Sequence, residues 1–138
     1  MIIPKWLAVY GDINYRGECP TEHADQIAFF SKIRNDYPET YGKIALHPNN
    51  DQRIKGKGFY KLNIDKAKGF CKSASDIIIP GCPTFVCELK RQDHTKSKWQ
   101  DGQIEYLETA KSLGAFVCVA LGVEGAIKAF EEWTRYDK

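Results

Sequence analysis

The segment from Asp76 to Lys90 constrains the fold of this chain more than any other part of the sequence. It contains two short runs, Ile77 to Ile79 and Thr84 to Cys87, whose β-branched and aromatic residues are typical of β-strands. The residues between the runs, at positions 80 to 83, are Pro-Gly-Cys-Pro and have the composition of a turn. The segment therefore predicts two strands joined as a hairpin.

The hairpin also predicts a cluster of charged side chains. Because successive side chains on a strand point to opposite faces, Glu88 and Lys90 share one face of the second strand. Asp76 opens the partner strand, and the outer ends of a hairpin meet, so we expect it to lie near both. Two carboxylates and an ammonium group on an otherwise apolar hairpin are costly unless they are paired or hold a cation.

This cluster has two interpretations. Carboxylate oxygens are ligands suited to Mg²⁺ or Mn²⁺, and a lysine beside the metal can steady a hydroxide or a phosphate. These parts together predict metal-assisted hydrolysis of a phosphodiester. The alternative is an exposed cross-strand ion pair with no catalytic role.

The length of 138 residues predicts one domain, and 43% hydrophobic residues are enough to form its core. A net charge of only +2 excludes no class of partner. The short apolar N-terminus does not resemble a signal peptide, and no apolar run approaches the roughly 20 residues that span a bilayer. We therefore expect no association with a membrane.

The cysteines indicate a reducing compartment. Their number is odd, none forms a Cys-x-x-Cys pair, and two lie in predicted strands. We expect reduced, mostly buried thiols in a cytoplasmic protein and no zinc site. The five are Cys19, Cys71, Cys82, Cys87 and Cys118.

The first helix is predicted from Thr21, a plausible N-cap, to about Asn35, because Pro38 discourages helix beyond that point. Glu22 falls at the edge of its apolar stripe. This acid either stabilises the positive end of the helix dipole or contributes to a site. The stripe predicted to be buried comprises Ala24, Ile27, Phe30 and Ile33.

Two further segments are predicted with alternatives. Trp6 to Tyr10 is either a short strand or an arm that packs against another chain. Lys43 to His47 is predicted to be a strand, and His47 is either a ligand or substrate contact or a hydrogen-bonded strand end.

Basic residues precede and follow the hairpin. Seven lie between positions 53 and 72 against a single acid, with aromatic residues between them. Such a segment can neutralise phosphates and stack on bases, or it can be a solvated charged loop. The predicted nucleic-acid contacts are Arg53, Lys55, Lys57, Lys61, Lys66, Lys68, Lys72, Arg91, Lys96 and Lys98.

The last third of the chain predicts a helix, a strand and a helix. The first helix, from about Thr95 to Leu113, would carry Gln103 within its apolar stripe, where an amide needs partners. The apolar run from Ala115 to Leu121 predicts a strand buried on both faces and parallel to the hairpin's second strand. An amphipathic helix begins near Val123. The apolar stripe of the helix from Thr95 to Leu113 comprises Trp99, Tyr106, Leu107, Ala110 and Leu113.

The ordered set of first-helix acid, Asp, Glu-x-Lys and helical Gln resembles the PD-(D/E)XK nuclease superfamily. Within it, the chain most resembles the VRR-NUC (virus-type replication-repair nuclease) family in its stand-alone viral form. The motifs are Gly69 to Asp76, Cys87 to Lys90 and Gln103 to Ala115. Two features depart from the family pattern, namely Ser75, where Pro or Gly is commoner, and the additional residues from Asn49 to Lys61.

The resemblance implies an α/β fold with a restriction-endonuclease-like αβββαβ core, in which helices flank a mixed central sheet. Residues 1–138 would form a single nuclease domain. Within it, residues 1–20 would be an N-terminal arm, 21–122 the nuclease core and 123–138 a C-terminal helix.

The resemblance also implies roles for individual residues. The metal ligands would be three carboxylates and the backbone carbonyl of Leu89, and the cofactor would be Mg²⁺, with Mn²⁺ able to substitute. Lys90 would steady the attacking hydroxide, and Gln103 would orient Lys90 or the scissile phosphate. The implied catalytic residues are Glu22, Asp76, Glu88, Lys90 and Gln103, of which the first three supply the carboxylates.

The implied function is a homodimeric endonuclease that cuts branched DNA, including four-way junctions. Three alternatives remain open. The same core could serve a sequence-specific or end-processing nuclease, a non-catalytic nucleic-acid-binding module, or a plain structural domain.

Overall fold

The protein is represented by a computed structural model that describes residues 1–48 and 66–137. Its centre is a four-stranded sheet with the strand order β1–β4–β3–β2. The first three strands in that order are parallel, and β2 is antiparallel to β3, so the sheet is mixed as predicted. The strands are β1 (Ala8–Tyr10), β2 (Ile77–Ile79), β3 (Phe85–Lys90) and β4 (Phe116–Leu121).

Helices cover both faces of the sheet, which confirms the predicted fold class. One apolar cluster joins the sheet to α1 and α4, and a second joins it to α3 and the N-terminal segment. Across the described ranges, no helix combines the length and apolar character needed to cross a membrane. The helices are α1 (Glu22–Asp36), α2 (Tyr41–Ile44), α3 (Gln103–Ser112) and α4 (Gly122–Thr134), with a short 3₁₀ turn at His94–Lys96.

The predicted hairpin is confirmed. Ile77 pairs with Cys87, so Asp76 lies beside Glu88 where the two strands meet at their outer ends. All six residues of β3 are buried, and alternate ones enter different apolar clusters. Phe85, for example, packs on the α1 and α4 side. Glu88 and Lys90 therefore share a buried face.

Strand β4 and helix α4 also agree with the prediction. The apolar run forms β4, which is parallel to β3 and places Cys118 beside Cys87. Helix α4 begins at Gly122, and its apolar stripe packs on the sheet through Ala126, Phe130 and Trp133. The segment Trp6 to Tyr10 takes the first of its two alternatives, because its last three residues form the edge strand β1.

The predicted strand from Lys43 to His47 is wrong. Tyr41–Ile44 form one turn of helix, held because the Tyr41 ring packs against aromatic side chains of α4. Within the segment from Lys43 to His47, Leu46 alone pairs with β2, through two backbone hydrogen bonds of 2.9 Å with Ile78. The packing of one aromatic side chain thus replaces most of a strand with a helical turn.

Helix α1 has the predicted cap but a different buried stripe. Thr21 caps it as expected, since its hydroxyl accepts a hydrogen bond of 3.1 Å from the Ala24 backbone N–H. Ile27 is 59% exposed, and Ala24 is exposed as well. The helix is rotated so that two phenylalanines face the core, because aromatic rings bury more apolar area than alanine and isoleucine. Its buried residues are Asp25, Phe29, Phe30 and Ile33.

The helix predicted from Thr95 to Leu113 is shorter than expected. His94–Lys96 form only a 3₁₀ turn, and α3 begins at Gln103. Trp99 therefore lies outside the helix, and Leu113, which follows its last residue, is 83% exposed instead of buried.

Gly102 explains where α3 begins. Its φ of 87° is in the left-handed region, which glycine adopts without strain. A Cβ atom at this position would also lie 2.8 Å from the Cβ atom of Ser73. The chain therefore turns at Gly102, and the five preceding residues are free to follow a loop path toward β3.

The expectation of mostly buried cysteines is only half right. All five are free thiols, but only Cys87 and Cys118 are buried, because they lie on the central strands. Cys71 and Cys82 are exposed, since the chain turns there, and Cys19 is partly exposed.

Candidate active site

Asp76 and Glu88 come together where β2 and β3 meet. The Asp76 carboxylate accepts a hydrogen bond of 2.8 Å from the Leu89 backbone N–H, which fixes it across the end of the hairpin. Glu88 is 1% exposed and points from the middle of the buried strand. The hairpin prediction thus correctly placed the two acids side by side.

Gln103 connects the acid and the base of the Glu-x-Lys motif. Its Nε2 donates to Glu88 Oε1 at 2.9 Å, and its Oε1 accepts from Lys90 Nζ at 2.9 Å. A third bond of 2.9 Å, from the Gln100 backbone N–H to the same Oε1, fixes the orientation of the amide. Gln103 therefore holds Glu88 and Lys90 in a defined geometry, and its predicted need for partners is met.

Lys90 is buried but well compensated. Only 2% of it is exposed, and its Nζ also donates to the Lys98 backbone carbonyl at 2.8 Å. Glu88 Oε1 lies 3.8 Å from the same nitrogen. The ammonium further sits 5.1 Å from the centre of the Trp99 ring, a distance that allows a cation–π interaction.

Glu88 is the least satisfied group of the cluster. Its Oε2 is buried and has no hydrogen-bond partner. Burial raises the pKa of Glu88 well above its usual range, the charge of Asp76 and the contact between the two carboxyl groups raise it further, and the charge of Lys90 offsets part of this. A buried, unpartnered carboxylate oxygen beside a second carboxylate fits a divalent cation, which would supply the missing positive charge.

Glu22 lies close to this pair but has its own partner. Its Oε2 accepts a hydrogen bond of 2.8 Å from the Ser97 hydroxyl, which in turn accepts one of 3.0 Å from the Arg91 backbone N–H. Its charge contributes to the raised pKa of Glu88. Among residues 1–48 and 66–137, no three His, Cys, Asp or Glu side chains already form a metal-holding group. The metal shell implied for Glu22, Asp76, Glu88 and Leu89 stays a prediction.

The His47 side chain contacts the main chain of Asp76. Its Nδ1 lies 2.8 Å from the backbone carbonyl oxygen of Asp76. Because a carbonyl only accepts, Nδ1 carries the hydrogen, and Nε2 is the nitrogen available to a further partner. His47 was predicted as a contact or a hydrogen-bonded strand end, and the structure shows the hydrogen bond without the strand.

The predicted DNA contacts fall into three groups. Four of them, Arg53, Lys55, Lys57 and Lys61, lie outside the described residues. The Arg91 side chain and Lys96 bond to backbone oxygens of the N-terminal loop, at Cys19, Pro20 and Gly17. The exposed remainder comprises Lys66, Lys68, Lys72 and Lys98.

Sequence reasoning missed the loop that supports Lys90. Trp99 was assigned to a helical stripe, yet its indole N–H donates to the Ile2 carbonyl at 2.7 Å and its ring covers Lys90. Asp93 shapes the same loop by accepting hydrogen bonds from Thr95 and from the Gly17 backbone. These hydrogen bonds, the Thr95 hydroxyl first, lower the pKa of Asp93 to about 2. A short Asp-x-Thr turn signal was visible in the sequence.

Comparison with solved structures finds a similar chain described as "VRR_NUC domain protein". The TM-score is 0.70 at 16% sequence identity, and the match covers 90% of this chain and 94% of the other. This chain has the fold of a VRR-NUC domain. The resemblance drawn from the motifs is thus confirmed at the level of the fold.

The two chains share a fold whose core in this protein is the mixed sheet, and the buried strand of that sheet carries the Glu-x-Lys motif. No protein-family model and no curated protein matches the sequence.

Proposed function

We propose that this chain is a Mg²⁺-dependent DNA endonuclease that hydrolyses phosphodiester bonds, with Mn²⁺ able to substitute. The observation that carries this proposal is the buried Glu88 oxygen without a partner, held beside Asp76 by a fixed network on a VRR-NUC fold. A protein keeps such a costly arrangement where a functional charge completes it.

The chain's own residues would divide the work. Asp76 and Glu88 would hold the metal, with Glu22 and the Leu89 carbonyl completing its shell. Bound Mg²⁺ lowers the pKa of water and offsets negative charge on the scissile phosphate. Lys90, fixed by Gln103 and Lys98, would hold positive charge beside the attacking oxygen.

The substrate we propose is branched DNA, such as a four-way junction, bound by a homodimer in the cytoplasm. Exposed Lys66, Lys68 and Lys72 lead along the chain to Asp76, which supports contact with phosphates near the site. The described residues of each chain contain one cluster of this kind, and cutting two strands symmetrically requires two.

The test is cleavage of an end-labelled four-way junction beside a linear duplex with the same arms, in Mg²⁺ and in EDTA. We expect paired nicks near the crossover, only with metal. Glu88→Gln should lower cleavage by at least about 100-fold, because a metal ligand is lost while the side-chain shape remains. Glu105→Gln, an exposed acid two residues beyond Gln103, is the matched control and should cut normally.

Other results would replace the proposed function. Equal cutting of the linear duplex would favour a sequence-specific or end-processing nuclease on the same fold. Tight binding of the junction without cutting under Mg²⁺ or Mn²⁺ would leave a non-catalytic binding module.

A further inference from the structure

A groove lies between α1 and the chain that returns to β2. It has a volume of about 650 Å³ and is lined by one face of α1 and by residues 45–47. This volume is in the range of about 300–1,000 Å³ that holds small ligands.

The groove begins at the candidate active site. His47 lines it and bonds to the backbone carbonyl of Asp76, so one end of the groove lies next to the main chain of that residue. The lining residues of α1 run from Gln26 to Asn35, nine positions along the helix and therefore about 14 Å. That length is enough for at least two nucleotides of one strand, which rise about 3.4 Å each when stacked.

The far end of the groove carries a flat cation over an aromatic ring. The Arg34 guanidinium lies 5.6 Å from the centre of the Phe30 ring, and both residues line the groove. Phe30 is 8% exposed and forms the floor, whereas Arg34 is exposed to solvent. Unpaired bases stack on the planes of arginine guanidinium groups, and Phe30 would hold that plane in place.

The remaining polar groups suit a nucleotide. Gln26, Ser31 and Asn35 can each donate and accept hydrogen bonds, and none bonds to another side chain in the described part of the protein. Among the described residues that line the groove, none is acidic. Along the described lining a strand of DNA would therefore meet no carboxylate, and its bases would meet groups able to bond to their edges.

We propose that this groove takes unpaired nucleotides of the DNA strand that leads into the active site, with one base stacked on Arg34. The inference rests on the proposed function and adds a reason for branched substrates, because a branch point can release bases that an intact duplex keeps paired.

The experiment measures the coupling between Arg34 and a base. Two four-way junctions carry a two-nucleotide single-stranded gap at the crossover, one with normal bases and one with abasic sites. Fluorescence anisotropy gives their affinities in Ca²⁺ without Mg²⁺, so that binding is read without cleavage. The proteins are wild type, Arg34→Ala, Arg34→Lys and the control Lys32→Ala, which removes a charge from an exposed position of the same helix.

We expect wild type and Lys32→Ala to bind the junction with bases about 5-fold to 150-fold more tightly than the abasic junction, the range typical of one base stacked on an aromatic ring. Arg34→Ala and Arg34→Lys should both lose this preference, because lysine keeps the charge but not the plane. Arg34 is exposed, so both variants should fold, which their thermal unfolding will verify.

Preference for bases that persists in Arg34→Ala or in Arg34→Lys would overturn the inference. If wild type also cuts junctions in Mg²⁺, that result leaves the proposed function standing. If the preference persists in the Arg34 variants while wild type cuts junctions, the inference fails alone. If wild type neither binds nor cuts either junction, the proposed function fails as well.

Discussion

At the scale of single residues, Glu88 is held in a state that costs stability. Its pKa is raised by burial and by Asp76, so the folded protein binds a proton there more tightly than the unfolded chain does. The folded state is therefore favoured below the usual glutamate pKa of about 4.3 and loses that advantage as the pH rises toward the raised pKa.

Glu88→Gln should consequently raise the melting temperature at pH 7.5 in EDTA, because glutamine resembles the protonated acid. Each 1 kcal/mol gained corresponds to roughly 4 °C for a domain of this size. The gain should disappear near pH 4, and added Mg²⁺ should stabilise wild type but not the variant. A lower melting temperature for the variant at pH 7.5 would mean that the contact between Glu88 and Lys90 outweighs the cost of burial.

Trp99 is the second residue whose substitution should affect catalysis more than substrate binding. Trp99→Leu removes the ring over Lys90, an interaction worth about 0.5–2 kcal/mol, so kcat should fall roughly 2-fold to 30-fold with little change in KM. Trp6→Leu is the matched control, because Trp6 covers Lys111 at 5.6 Å in the same apolar cluster but away from the site. Equal single-turnover rate constants for cleavage by the two variants would contradict a positioning role for Trp99.

The residues of the cluster could be predicted only where local rules fix them. Strand alternation and hairpin pairing place Asp76, Glu88 and Lys90 together, and both rules depend on neighbours in sequence. Gln103 was predicted inside a helix that begins near Thr95. It reaches the same cluster, but it does so from the first turn of the shorter helix α3. Trp99 could not be predicted, because its position depends on a hydrogen bond to Ile2, 97 positions away.

At the scale of elements, prediction succeeded where burial decides the structure. Strand β4 is apolar throughout, and five of its six residues are buried. The segment from Lys43 to His47 is short and only partly buried, so the packing of Tyr41 determines its conformation. The start of α3 depends on contact between Gly102 and Ser73, which no local pattern reveals.

The start of α3 should therefore be sensitive to Gly102→Ala. A left-handed alanine costs about 1–2 kcal/mol, and the added Cβ would also lie 2.8 Å from the Cβ of Ser73. Gly114→Ala is the matched control, since Gly114 has a φ of 98° but faces open space. In urea unfolding, Gly102→Ala should lose more stability than Gly114→Ala, and it alone should lower cleavage because Gln103 shifts. Equal losses would show that Gly102 matters for its φ alone.

At the scale of the whole molecule, the proposed activity requires two chains. Each chain supplies one cluster of Asp76, Glu88, Lys90 and Gln103, and a symmetric cut of a junction needs a second one related by a two-fold axis. The edge strand β1 pairs with β4 and therefore belongs to the same sheet as the site.

Mixing the wild type with Glu88→Gln protein tests this requirement directly. If the active species is a dimer, its mass in solution should be twice the 15.7 kDa of one chain, and mixed dimers should nick only one strand of each junction. The substrate is a supercoiled plasmid that extrudes a cruciform. With equal parts of the two proteins, more of the product should be nicked circles and less should be linear DNA than with wild type alone, since about half of the dimers carry one intact site. A monomer that cuts each strand independently would give linear product in proportion to wild-type protein alone, and that result would contradict the dimeric mechanism.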